Sequence, residues 1–269
     1  MNYETIIYEK EKNGIATLTF NRPQVMNAQN IPLKTEMRHA VEDARDDDKV
    51  RVLIITGAGR AFSAGDDIKE MWLTKDKNLG TLSREGQLAS LKGSPTRQAY
   101  LQGLWKPAIA AVNGPAVGAG LEVALECDIR IASENAKFGY FFVLRNLQGT
   151  HTPEGLMKLP YIMGHGRAME FVLSGELMDA AEAERVGLAN KMVPQERLME
   201  EAREMAFKLM KAAPLAQLAV KQLVRTAMFD PTNFTQLNTA FGTMLRQSED
   251  HAEAARAFAE KREAVFKMR

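Results

Sequence analysis

Ala110-Ala111-Val112-Asn113-Gly114-Pro115-Ala116-Val117-Gly118-Ala119-Gly120-Leu121-Glu122 is the stretch whose reading decides the fold. The run from Pro107 to Val112 is apolar, too short for a typical helix, and reads as a buried strand. Asn113-Gly114-Pro115 breaks it, and a helix is expected from Val117 through Ala124. The same design of apolar strand, glycine-containing turn and helix occurs upstream. There Val50 to Thr56 is a β-branched run ended by Gly57, and Gly57-Ala58-Gly59-Arg60-Ala61-Phe62-Ser63-Ala64-Gly65-Asp66-Asp67-Ile68 is the turn. Small residues let backbone approach a ligand closely, and the first N–H groups of a helix have no partner inside it. Such amides can bind developing negative charge.

Several sharper readings fail on these residues. Neither turn matches G-x-G-x-x-G, and no G-x-x-x-x-G-K-[ST] occurs, which argues against nucleotide binding by those routes. Ala61-Phe62-Ser63-Ala64-Gly65 misses G-x-S-x-G by its first glycine, so Ser63 is not read as a nucleophile. The four histidines are scattered without zinc spacing, and Asp46-Asp47-Asp48 reads as a solvated loop rather than a metal site. Glu122 is the unusual residue, a carboxylate among Ala119, Gly120, Leu121, Val123, Ala124 and Leu125. Burial there would raise its pKa and make it a usable acid or base. Glu126, one turn later, reads as structural, and Cys127 as a small packed hydrophobe.

Outward from these turns the chain alternates strands and helices, then becomes mainly helical. Gly14 to Phe20 is an alternating strand stopped by Asn21-Arg22-Pro23, and Pro32 to Arg45 places Leu33, Met37 and Val41 on one helical face. Residues 74–98 are polar and weakly periodic, the expected mobile surface segment. Helices dominate from Gly155: Asp179-Ala180-Ala181-Glu182 has capping-box spacing with Gly187 as a stop, followed by Pro194 to Ala213, Pro214 to Phe229 and His251 to Phe266. The expected class is α/β, with one core over residues 1–195 and a helical extension over 196–269 in the same fold unit. With 269 residues a large core can be buried. Lys+Arg total 35 against 34 Asp+Glu, a balance that argues against a nucleic-acid partner. One cysteine excludes a disulfide framework, and no stretch reads as a membrane span or signal core, so a cytoplasmic location is expected.

The residues resemble the enoyl-CoA hydratase/isomerase (crotonase) superfamily in order and spacing over nearly the whole chain. The resemblance rests on Asn21-Arg22-Pro23 with Asn27-Ala28, Gly57 to Ile68, Lys106 to Ala132, Phe138-Gly139, Leu173-Ser174-Gly175 and Ala257-Phe258-Ala259-Glu260-Lys261-Arg262. It implies a crotonase-like ββα spiral core with a C-terminal helical region, assembled as a homotrimer or dimer of trimers. It implies an acyl-CoA thioester as ligand, with CoA part of the substrate and no separate cofactor or metal. The thioester carbonyl would sit between the backbone amides of Asp66 and Ala119, an oxyanion hole for a thioester enolate. Met26, Ala28, Ala64, Asp67, Ile68 and Gly118 would contact the substrate or its CoA. The Asp66 carboxylate must then point away from the oxyanion, and Asp67 would cap the following helix.

Glu122 matches the first of the two catalytic glutamates of family hydratases. The second normally follows a Phe-Gly pair, yet Phe138-Gly139 leads into Tyr140-Phe141-Phe142-Val143-Leu144-Arg145-Asn146. Ungapped alignment puts Phe142 at the second position and a short insertion puts Arg145 there. Neither does a carboxylate's work. His151 and Glu154, slightly further on, are the candidate replacements. Tyr140, Phe142 and Arg145 are candidate acyl-pocket residues, Arg145 also as a partner for a substrate carboxylate. The reading is an enoyl-CoA hydratase/isomerase-type enzyme with Glu122 as acid/base. The competing readings are other crotonase chemistry (C–C hydrolase, decarboxylase or lyase) and a non-catalytic CoA-ester scaffold, with a dinucleotide oxidoreductase further behind.

Overall fold

The computed structural model describes residues 3–69, 101, 103–145, 153–229 and 231–269. In chain order its first elements are β1 (Ile6–Lys10), β2 (Ile15–Phe20), α1 (Ile31–Asp46), β3 (Val52–Gly57), β4 (Ala108–Val112), β5 (Ala116–Val117), α2 (Ala119–Glu126), β6 (Ile129–Ser133) and β7 (Lys137–Gly139). Then come α3 (Pro153–Met163), α4 (His165–Ser174), β8 (Leu177–Asp179), α5 (Ala180–Arg185), β9 (Lys191–Val193), α6 (Leu198–Met210), α7 (Pro214–Phe229), α8 (Phe234–Gln247) and α9 (Glu249–Glu260).

Six strands form one sheet in the order β1-β2-β3-β4-β6-β9. β1 pairs antiparallel with β2, and every later pairing in this sheet is parallel. Alternation along each strand serves two cores, because successive side chains point to opposite faces. Leu53, Ile55, Ala108, Ala110 and Val112 face the larger core with Leu33, Met37 and Val41 of α1 and Leu121 and Leu125 of α2. Val52, Ile54, Ile109, Ala111 and Ile131 face the other, closed by Leu198, Ala202 and Ala206 of α6. Being covered on both faces, the central strands read as continuous apolar runs.

A second sheet, β5-β7-β8, stands beside the first. It corrects the expected helix start at Val117. Ala116 and Val117 pair in parallel with Phe138 and Gly139, so the helix begins only at Ala119. The β3 run starts at Val52 rather than Val50. The last helix stops at Glu260 instead of running to Phe266, because Lys261 turns left-handed and its N–H returns to Ala257 and Phe258. Asp179 caps α5 through Glu182 N at 2.8 Å, as half of the expected box; the Glu182 carboxylate pairs with Arg185 instead. The expected mobile segment 74–98 lies outside the described residues. Among the described residues no helix is long and apolar enough to cross a membrane.

α2 is held at both ends. At its C-terminus Arg130 donates to the Cys127 carbonyl (2.9 Å), Lys158 to Leu125 O (2.7 Å) and Arg225 to Glu126 O (3.4 Å). Those carbonyls have no partner within the helix, and cations suit its negative end. Glu126 is fully buried and accepts from Leu101 N at 2.6 Å, the structural role expected of it. Burial pushes the Cys127 thiol up to about 12, which leaves it an inert core group.

Candidate active site

The two glycine-containing turns meet. Ser63 N donates to Pro115 O and Val117 N to Ser63 O, each at 3.0 Å, so Ser63 and Ala116 form a one-residue parallel bridge. Gly65 then turns with φ +86, and a Cβ on it would stand 2.7 Å from Val117 O and 3.2 Å from Ala119 N. Only glycine tolerates that backbone and that approach. The turn carrying Asp66 is therefore seated against the N-terminus of α2. Ala119 is the first residue of that helix, so its N–H has no intrahelical acceptor. Gly118 is the N-cap, and its own N–H donates to Gly139 O at 2.9 Å.

Asp66 is held from the other side. Gln29 N donates to Gly65 O (2.7 Å) and Asp67 N to Gln29 O (3.0 Å), a bridge that ties the Asp66 turn to the segment before α1. Both acids of the turn meet cations. The Asp66 carboxylate lies 2.6 Å from Lys34 Nζ, and Asp67 lies 2.9 Å from the Arg22 guanidinium. Arg22 also donates to Ala28 O at 2.6 Å, and Ala64 N donates to Met26 O at 2.9 Å. Asn27, fully buried, donates to Ala58 O and Ala61 O and fixes this loop to the glycine turn. Met26 and Ile68, two exposed apolar side chains, stand on the joined loops. Helix begins at Ile68, with Asp67 directly before it, and the Asp67 carboxylate also meets Arg22.

Glu122 is fully buried in the first turn of α2, one helical turn from Ala119 and on the same side of the helix. Tyr140 is its neighbour: burial, and then the Glu122 charge, push the phenol pKa well above its ordinary value. The Tyr140 and Phe142 rings meet edge to face with centroids 4.9 Å apart. Phe142 also leans over the helix start, its Cζ 3.7 Å from where a Gly118 Cβ would be. The structure thus gathers Asp66, Ala119, Gly118, Glu122, Tyr140 and Phe142 into one place.

His151 lies outside the described residues. Glu154 stands in the first turn of α3 and Arg145 in the 3-10 turn Val143–Arg145, with only their backbones described. Ser63 is buried and spends its hydroxyl on Asn27 O at 2.8 Å, in agreement with its dismissal as a nucleophile. Sequence reasoning missed Lys34. The signal was there: Lys34, Met37, Val41 and Ala44 follow helical spacing, so the lysine sits on the buried stripe of α1. A separate apolar cavity of about 550 Å³, between α7 and the C-terminal end of α2, is lined by Cys127, Ile129, Ile162, Val220 and Val224. It lies at the far end of α2 from Ala119 and contributes nothing to this site. Among the described residues no three His, Cys, Asp or Glu side chains cluster as a metal site would.

Comparison with known proteins gives the family. Residues 10–269 match the enoyl-CoA hydratase/isomerase family model. The chain is 38% identical over 266 residues to the short-chain-enoyl-CoA hydratase of Clostridium acetobutylicum, with 97% of each chain covered. It is 36% identical over 260 residues to (E)-benzylidenesuccinyl-CoA hydratase of Thauera aromatica, covering 95% of this chain and 96% of the other. The crystal structure of an enoyl-CoA hydratase from Bacillus anthracis superposes with a TM-score of 0.84 at 29% identity, over 99% of this chain and all of that one. The mixed α/β fold is the crotonase fold, and the chain belongs to the enoyl-CoA hydratase/isomerase family.

Proposed function

We propose that this enzyme binds an acyl-CoA thioester with the thioester oxygen between the Asp66 and Ala119 amides, and that Glu122 moves the proton. The observation that carries the reading is the complete burial of Glu122 one helical turn from Ala119. A carboxylate held out of water beside the proposed oxyanion amide can exchange a proton with the substrate. Two N–H donors stabilise the oxygen as it gains charge while the α-carbon loses a proton to Glu122, or while water adds to the β-carbon. CoA is part of the substrate, and no separate cofactor enters the mechanism. Met26, Ala28, Ala64, Asp67, Ile68 and Gly118 border the thioester and its CoA, while Tyr140 and Phe142 line the acyl group.

Phe142 favours single-acid chemistry. Its ring leans over the helix start beside Tyr140, and ungapped alignment puts it, as a short insertion puts Arg145, at the position of the second family carboxylate. One base suffices to shuttle a proton in double-bond isomerisation, or to serve addition or cleavage in which the substrate supplies the other proton. Incubation with a panel of CoA thioesters, with products detected by mass spectrometry, tests the reading. Conversion of an enoyl- or other acyl-CoA supports it, and inertness toward every thioester that binds would leave only a CoA-ester scaffold.

The assembly is a homotrimer or a dimer of trimers. Val220 and Val224 of α7 and Phe258 of α9 are exposed apolar side chains that a closed ring of subunits would cover. A stable monomer in sedimentation equilibrium at micromolar concentration would count against it.

A further inference from the structure

Lys34 breaks two local rules at once. It is a buried lysine, 7% exposed, and it stands in the first turn of a helix, where the dipole disfavours a cation. Leu33, its neighbour, is satisfied in the ordinary way by the Asn30 cap, so the lysine is no part of the capping. Its ammonium instead reaches across to the Asp66 carboxylate at 2.6 Å, with both side chains 9% exposed. A side chain that violates local preference without serving local structure marks a functional constraint.

We infer that Lys34 is a positioning residue that holds the Asp66 carboxylate aside and cancels its charge, so that the Asp66 amide can serve as an oxyanion donor. The inference rests on the oxyanion-hole reading above. Asp66 carries an amide that must attract an oxyanion and, two bonds from its Cα, a carboxylate that must repel one. In a water-poor site an uncompensated anion at this range opposes the enolate strongly. Two features keep the carboxylate turned away. The Gln29 bridge orients the Asp66 backbone, and Lys34, from α1, takes the side chain. The neighbouring Arg22 guanidinium meets Asp67 and Ala28 O.

The test uses acetoacetyl-CoA, whose enolate absorbs in the near ultraviolet, with the full-length protein. At saturation the wild type should show the enolate band. Lys34→Met should lower the bound enolate fraction tenfold or more while CoA itself still binds. Lys34→Met/Asp66→Asn should recover most of the band, because the neutral amide no longer opposes the enolate. Should Lys34→Met alone fail to fold, the Asp66→Asn background carries the test: there the tenfold effect of Lys34→Met should collapse. A folded Lys34→Met with a full band overturns this inference and leaves the hole standing, and so does a tenfold loss that persists in the Asp66→Asn background. A wild type with no band, indistinguishable from Ala119→Pro, overturns the hole itself and this inference with it.

Discussion

The Cβ that Gly120 lacks would stand 2.3 Å from the Ser63 carbonyl oxygen and 2.8 Å from the Ser63 Cβ. The helix that carries Glu122 can lie against the first glycine turn only because residue 120 has no side chain. An alanine would ordinarily favour a helix interior by up to ~1 kcal/mol over glycine. Here overpacking against backbone, about 1–3 kcal/mol, wins. Gly120→Ala should therefore lower the melting temperature, by roughly 2 °C for each kcal/mol of net loss in a chain of this size. A thermal melt that is unchanged or raised would refute the close approach.

Glu122→Gln keeps the shape of the side chain and removes its ability to take a proton. Turnover should fall by about 10²–10⁴ with binding retained. Circular dichroism and CoA binding separate this from misfolding. His151→Ala and Glu154→Ala, assayed alongside, show whether a downstream group supplies a second acid. Crotonyl-CoA hydration should be slow in the wild type, and turnover of that substrate near the diffusion limit would end the single-acid reading.

Ala119→Pro removes one proposed oxyanion donor at a tolerant position. Ala119 is the first helical residue, the position at which proline is best tolerated, because its N–H makes no helical bond. The substitution should cost about 10²–10³ in turnover, the range for one lost oxyanion donor, with little loss of stability. Full activity in the folded variant would reassign the donor.

Cys127 should be silent. Its thiol is pushed up to about 12 by burial from an ordinary 9.0, so it stays protonated in the folded protein at pH 8. A thiol-specific disulfide reagent should label the native chain only as fast as it opens and the denatured chain at once. The sign of the linkage follows. An unfolded chain releases this proton near 9.0 and the folded one only near 12, so this group's contribution to stability is full below 9.0 and declines between the two values. Rapid stoichiometric labelling at pH 8 would show that the helix end is open.

Much of the scaffold is local and was legible as such. β2, β4 and α7 follow hydrophobic periodicity and their Pro or Gly boundaries closely. The short strands β7, β8 and β9, three residues each, carry too little periodicity to be read. Val117 reads as a helix start and is strand instead, because the reason lies elsewhere in the chain, in Ser63 and Gly139. The last helix ends early because Asp250, nearly buried, takes the Lys267 and Met268 N–H groups at 2.7 and 2.9 Å and folds the tail back.

The sequence by itself determined which residues could bear the chemistry. Glu122 stands out among small apolar neighbours, and the two strand–turn–helix segments announce exposed amides, because burial, helix starts and glycine turns are consequences of residues near in the chain. Only the tertiary structure decided how those residues are charged and aimed. Lys34 and Asp66 are 32 positions apart and Arg22 and Asp67 are 45 apart. No periodicity encodes which cation meets which carboxylate across such a span. That choice is made by the packing of α1 against the sheet and by the bridges that carry the Asp66 turn onto the start of α2, where desolvated charges must find partners in space rather than in sequence.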